Sequence, residues 1–179
     1  GQGQALRSLL QLEGIGVLPG VQLTVKSVGP FKGPIMFSSK TGDHAIGQEL
    51  AVTPLQLARA YGAIANGGVL MEPMLVREER SGAGRVVRRW SPQPRHRVFG
   101  EATTAVLREM LCAVVDSGTA TSARLDGFAI AGKTGTAQKY DARTGGYGRG
   151  MYIASFAGIA PADHPRLVGV VVIDEPPRD

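Results

Sequence analysis

The sequence predicts an α+β fold: an antiparallel sheet with packed helices, preceded by a small β-rich segment. Three observations carry this. Three strand-like segments, 127–137, 151–160 and 166–174, follow one another through turn-rich connections with no helical pattern between them. Two upstream segments, 53–65 and 101–115, carry apolar residues at helical spacing. The 179 residues include 25 glycines and 11 prolines, too many breaks for an all-helical bundle.

The elements follow in order. Residues 5–12 have helical spacing and stop at Gly14 and Gly16. Val21, Leu23 and Val25 alternate with polar residues as in a half-buried strand, and Gly29-Pro30 and Gly33-Pro34 punctuate the segment that follows. Residues 1–43 therefore read as a separate compact β unit, and 44–179 as a second unit. Thr53 caps a helix with Pro54 at its first position, and Asn66-Gly67-Gly68 ends it. Residues 69–76 are expected to be extended, and 77–97 to form an exposed basic hairpin or loop. The second helix places Ala105, Val106, Met110, Leu111 and Val114 near one face and ends at Ser117-Gly118-Thr119-Ala120. The apolar run Leu167–Ile173 reads as a strand covered on both faces. Tyr140 to Gly150 reads as a hairpin connection.

Composition narrows the function classes. A hydrophobic content of 43% is enough for a core. The net charge of +5 comes with arginine that reads as spread along the chain and with no nucleic-acid-binding motif, so no nucleic-acid partner is expected. Cys112 is the only cysteine, which excludes an internal disulfide and a paired-thiol metal site; it reads as a buried small residue. No cofactor and no metal are expected. No apolar run approaches the ~20 residues that span a bilayer, and no signal peptide is visible. The chain reads as soluble, with any membrane anchor lying upstream.

The chemistry concentrates in Ala131-Gly132-Lys133-Thr134-Gly135-Thr136-Ala137. In a strand, Lys133 and Gly135 share one face, and Thr134 and Thr136 the other. Gly135 lets a ligand backbone approach closely. Hydroxyls and an ammonium on such an edge suit a carboxylate, and a backbone N–H there suits a developing oxyanion. Taken alone, Lys-Thr-Gly is more simply an exposed strand lysine. Its surroundings decide otherwise. Ala45-Ile46-Gly47-Gln48-Glu49-Leu50-Ala51-Val52-Thr53-Pro54-Leu55-Gln56-Leu57, Ala65-Asn66-Gly67-Gly68, Pro73, Gly118-Thr119-Ala120, the Lys-Thr-Gly segment, Ser155-Phe156-Ala157-Gly158-Ile159-Ala160-Pro161 and Asp174-Glu175-Pro176-Pro177 occur in that order. Together, over roughly 44–177, they resemble the class B penicillin-binding proteins, peptidoglycan D,D-transpeptidases of cell division or elongation.

The resemblance implies an acyl-serine mechanism, peptidoglycan stem peptides as substrates, β-lactams as inhibitors, and a location at the extracytoplasmic face of a bacterial inner membrane. It implies that Lys133 supplies positive charge near the serine system. Thr134 and Thr136 would contact a carboxylate, Gly135 would line the cleft, and the Thr136 N–H would form half of an oxyanion hole. The family's nucleophile lies in Ser-x-x-Lys and a helper in Ser-x-Asn. None of serines 8, 27, 38, 39, 81, 91, 117, 122 and 155 fits either pattern. His44, His96 and His164 fit no serine-hydrolase pattern either. The chain is therefore expected to hold one wall of a site and to be inactive alone. The alternative is a non-catalytic fragment or chimera. Residues 12–25 and 30–34, and Ile46–Ala51 as well, resemble the SH3-like ferrous-iron transport protein A family and the C-terminal domains of iron-dependent repressors, which implies a fusion near Ile46-Gly47.

Overall fold

The computed structural model describes residues 52–141 and 146–177. The separate β unit expected over 1–43 lies outside them, as does His44.

Helix α1 spans Pro54–Ala65, as the capping pattern predicts. The Thr53 hydroxyl accepts from the Gln56 N–H at 3.1 Å, and the Gln56 side chain accepts from the Thr53 N–H at 2.9 Å. Two orphan donors of the first turn are satisfied reciprocally. The chain leaves α1 through Asn66, whose side chain donates to Val69 O at 2.7 Å and accepts from the Val69 N–H at 3.0 Å. Gly67 and Gly68 follow with φ of +82° and +103°. Gly68 is irreplaceable on two counts. Its φ is unsuited to side chains, and a Cβ there would lie 2.0 Å from Phe99 O. That crowding exists because Gly68 O accepts from both Val98 N–H and Phe99 N–H. The exit of α1 and the entry to the second helix are thus locked together.

Between the helices lie four short strands: β1 (Val69–Met71), β2 (Glu78–Arg80), β3 (Val86–Arg89) and β4 (Pro94–Arg97). β1 pairs with β4, and β2 with β3, in two separate antiparallel ribbons. The extended segment expected over 69–76 is therefore a strand only as far as Met71. The predicted hairpin is present, but its last part returns to pair with β1. The reading of arginine as dispersed is corrected here. Residues 77–97 hold seven arginines and two glutamates, a net +5 that equals the charge of the whole chain. Glu78 accepts from Arg80 and, at 2.9 Å, from Arg89; Glu72 accepts from Arg95; Arg88 lies 4.6 Å over the Trp90 ring. Hydrogen bonds from these arginines hold both carboxyls below the usual carboxylate range.

Helix α2 spans Glu101–Ser117 and places Glu101 in its first turn, where the helix dipole favours negative charge. Its inward face differs from the predicted one. Thr104 and Val115 are buried and Leu111 and Cys112 half-buried, whereas Val106 and Met110 face solvent. Apolar residues lie on more than one side of this helix, so spacing alone does not select the stripe that packs. Burial pushes the Cys112 thiol up, with Asp116 adding to the effect.

The main sheet has order β5-β6-β7, all antiparallel: β5 is Ala131–Asp141, β6 Gly146–Ala160 and β7 Leu167–Asp174. Residues 127–130, read as strand, lie outside β5: Asp126 and Gly127 (φ +80°) form a turn closed by a bridge between Leu125 and Phe128, and Ala129 and Ile130 lead into the strand. Most of the supposed connection from Tyr140 to Gly150 is strand. Helix α1 packs on β6 and β7, and α2 on β5. Ala131, Ile159 and Ala162 form the buried centre, with Tyr61, Ile64, Ala65, Leu111, Cys112 and Val168 around them. β7 is not covered on both faces. Val168 and Val170 are half-buried on the helix side, while Leu167 and Val171 are 70% and 57% exposed on the other. A continuous apolar run cannot by itself report how many faces are covered.

Gly68→Ala is expected to cost about 2 kcal/mol or more, because strain and a backbone clash coincide; a urea denaturation midpoint checks it. Arg95→Gln is expected to move the Glu72 carboxyl back towards its ordinary value of 4.5, read by side-chain carboxyl NMR. Because that carboxyl is depressed in the fold, the pair supports the β1–β4 ribbon above the ordinary carboxylate pKa. The support is lost as pH falls through the depressed value, and Arg95→Gln should flatten that dependence.

Candidate active site

β5 has β6 on one side and, among the described residues, no strand on the other. Lys133, Thr134, Gly135 and Thr136 sit on it opposite Ala157, Phe156, Ser155 and Ala154. Lys133, Gly135 and Thr136 are exposed and Thr134 half-buried. The glycines flanking the lysine have steric reasons. The Phe156 ring lies across Gly132 and Gly158, so that a Cβ on Gly132 would come 2.5 Å from Phe156 Cζ and 2.9 Å from Ala157 O. At Gly135 a Cβ would meet Ser155 Oγ at 2.7 Å.

The alternation places Lys133 and Gly135 on the face that packs the helices, and Thr134 and Thr136 on the other. The lysine nevertheless reaches round the edge. Its Nζ donates to Thr134 O at 2.9 Å, to Thr119 Oγ1 at 3.2 Å and, at 3.5 Å, to Thr134 Oγ1. The hydroxyls of Thr119 and Thr134 are themselves 3.2 Å apart. Thr134 O thus serves a partner at the open edge, whereas Gly135 O accepts from Ser155 of β6 at 3.4 Å. By the two-residue period of a strand, the N–H of Thr136 falls on the open edge with Thr134.

Thr119 was not singled out as a site residue by its sequence pattern. It follows α2 directly, and the end of that helix holds it. The N–H groups of Gly118 and Ala120 both donate to Val114 O at 3.1 Å, and Ala120 is buried. A Cβ at Gly118 would lie 2.9 Å from Val114 backbone atoms, so the tight exit needs glycine. The signal for it in the sequence is its place in Gly118-Thr119-Ala120, one of the strings that carry the family resemblance; the contact with Lys133 spans fourteen residues and is made by tertiary packing.

The other candidates do not join this cluster. His96 is on β4, and His164 lies in the turn between β6 and β7, 3.2 Å from Asp163. Among the described residues no group of three or more His, Cys, Asp or Glu is placed to hold a metal ion. No helix among them is long and apolar enough to cross a membrane.

A lysine and two threonines clustered at an open strand edge, on a sheet with helices on one face, can be compared with known proteins. The family model described as the penicillin-binding protein transpeptidase domain matches residues 3–179. The chain belongs to the penicillin-binding protein transpeptidase family. It is 37% identical to stage V sporulation protein D of Bacillus subtilis over 98% of its own length and 25% of that protein. It is also 37% identical to PbpB of Mycobacterium tuberculosis over 96% of its length and 26% of that protein. The crystal structure of penicillin-binding protein 3 from M. tuberculosis in complex with aztreonam superposes with a TM-score of 0.80 at 34% identity, over 98% of this chain and 41% of that one. The chain therefore spans about a quarter of the curated relatives it matches. The match begins at residue 3 and runs through the boundary read between 43 and 44, so the SH3-like resemblance of the first segment and the fusion drawn from it find no support there.

Gly132→Ala is expected to destabilise this member of the transpeptidase family by about 1–3 kcal/mol, since the Phe156 ring and the β6 backbone must both give way. Thermal unfolding of the variant, set beside Gly169→Ala, where a Cβ meets open space, checks it.

Proposed function

We propose that this chain forms the Lys-Thr-Gly wall of a peptidoglycan D,D-transpeptidase site, completed by a serine nucleophile elsewhere in a longer protein. The observation that carries it is the cluster of Lys133, Thr119 and Thr134 at the open edge of β5, beside an outward Thr136 N–H. The substrate would be a stem peptide ending in D-Ala-D-Ala. Its terminal carboxylate would bind the hydroxyls of Thr134 and Thr136, with the Lys133 ammonium adding positive charge. Gly135 would let the extended peptide lie close along β5. As the serine oxygen adds to the scissile carbonyl, the Thr136 N–H would meet the oxygen on which charge develops. The terminal D-Ala would leave with the proton drawn from the serine; an amine of a second stem peptide would then add to the acyl ester, and its proton would return to the serine oxygen as the ester bond breaks.

The relative solved with ampicillin and with aztreonam supports β-lactams as inhibitors here. Such chemistry belongs at the extracytoplasmic face of a bacterial inner membrane, where cell-wall cross-linking in division or elongation takes place. A second reading, a fragment without chemistry of its own, is favoured for the isolated chain by one observation: no serine in it has Lys three residues on. Positive charge and oxyanion donors without an activated nucleophile do not give covalent catalysis.

The two readings separate on one measurement. Intact mass after incubation with benzylpenicillin should show no adduct on this chain and one adduct on the full-length protein. An adduct on the isolated chain would overturn the assignment of the nucleophile elsewhere. In the full-length protein, Lys133→Ala and Thr134→Ala should each slow acylation by about a hundredfold, the scale of losing one electrostatic partner of a developing charge, and leave thermal unfolding unchanged. Acylation at the parent rate would remove both residues from the site.

A further inference from the structure

We propose that Thr119 is a positioning residue of this site: its hydroxyl holds the Lys133 ammonium and turns the Thr134 hydroxyl outward, towards an incoming carboxylate. The proposal rests on the transpeptidase reading above and adds a member to the site from the loop after α2.

The argument is a count of protons and acceptors. An ammonium has three N–H donors, and each hydroxyl has one donor and two acceptor positions. Lys133 finds three acceptors: Thr134 O, Thr119 Oγ1 and Thr134 Oγ1. All of its protons are engaged inside the cluster. Both hydroxyls therefore receive a proton from the lysine, and one donates to the other across 3.2 Å. The hydroxyl that receives twice has both acceptor positions filled, so its own proton must find an acceptor outside the cluster. Of five donatable protons, one is left over. When Thr119 is the inner donor, the spare proton belongs to Thr134, on the open edge of β5. An acceptor oxygen arriving there, as a carboxylate brings, selects that arrangement, because only an acceptor can take the spare proton.

Thr119 can do this because its own position is settled before any ligand arrives. Ala120 is buried, Gly118 and Ala120 are tied to Val114 O, and α2 is packed on β5. Thr134 is fixed by its strand. Lys133 carries four rotatable bonds and gains its place from these partners. Without the Thr119 hydroxyl, the ammonium loses one of three acceptors and Thr134 loses its inner donor.

The test uses the full-length protein with three forms: the parent, Thr119→Val and Thr119→Ser. Valine keeps the shape and removes the hydroxyl; serine keeps the hydroxyl and removes the methyl. Thr119→Val should lower the second-order acylation rate with benzylpenicillin by about tenfold, the scale of one hydrogen bond to a charged group. Thr119→Ser should retain most of the parent rate. A crystal structure of Thr119→Val should show Lys133 Nζ displaced from Thr134 Oγ1. Parent-like acylation in Thr119→Val overturns the proposal, and so does a Thr119→Ser variant as slow as Thr119→Val. If the parent protein takes no adduct at all, the transpeptidase reading falls. The crystal structure still decides the positioning role, which is overturned if Lys133 keeps its place without the Thr119 hydroxyl.

Discussion

The register of β5 on β6 sets where Lys133, Thr134, Gly135 and Thr136 lie. Lys133 opposes Ala157, Thr134 opposes Phe156 and Gly135 opposes Ser155. A slip of one residue would exchange the faces of the lysine and the threonines, because side chains alternate with a period of two. Several contacts resist that slip. The Phe156 ring occupies the space left by Gly132 and Gly158, Ala131 and Ile159 are fully buried against the helices, and Ser155 Oγ lies where a Cβ on Gly135 would crowd it. At the far end, Lys139 reaches across β6 to Asp174 and Glu175, each at 2.8 Å, which ties β5 to the end of β7. The glycines of the motif region thus serve packing and ligand access together.

The helices act on the site through this sheet. α2 rests on β5, and its last turn delivers Thr119 to the open edge. α1 rests on β6 and β7 and completes the small core around Ile159. The two helices are coupled where Gly68 O accepts from Val98 and Phe99, a crossing that leaves no room for a Cβ. Among the described residues, six of the nine buried hydrophobic residues are alanines, so close backbone approach does much of the packing there.

The arginine-rich ribbons stand apart from this arrangement. β2, β3 and β4 are almost wholly exposed and contribute no core residue, whereas β1 packs on α1 and buries Leu70. Glu72 and Glu78 neutralise part of the charge locally, and Arg88 stacks on Trp90. Exposed pairs of this kind contribute little to stability. Arg89 to Glu78 and Arg95 to Glu72 each cross from one strand of a ribbon to its partner side.

The sequence by itself determined the helices, the three long strands, their order and the family. Each of these is encoded locally: Thr53-Pro54 with Gln56 caps a helix, Asn66-Gly67-Gly68 ends it, and the spaced motifs around Lys-Thr-Gly survive as strings. Local signals failed where a decision depends on a distant neighbour. The inward face of α2 was misjudged because Val106 and Met110 are as apolar as Leu111, and only the position of β5 chooses between them. The apolar run of β7 does not say how many of its faces are covered. The clustering of charge is different: seven arginines fall within residues 77–97 of the sequence itself, and folding adds only which of them meet Glu72 and Glu78. Thr119 entered the site, like the inward face of α2, through a distant neighbour. Its hydrogen bonds to Lys133 and Thr134 join a helix end to a strand edge, and no period or propensity encodes a contact between two elements whose relative placement is settled by packing.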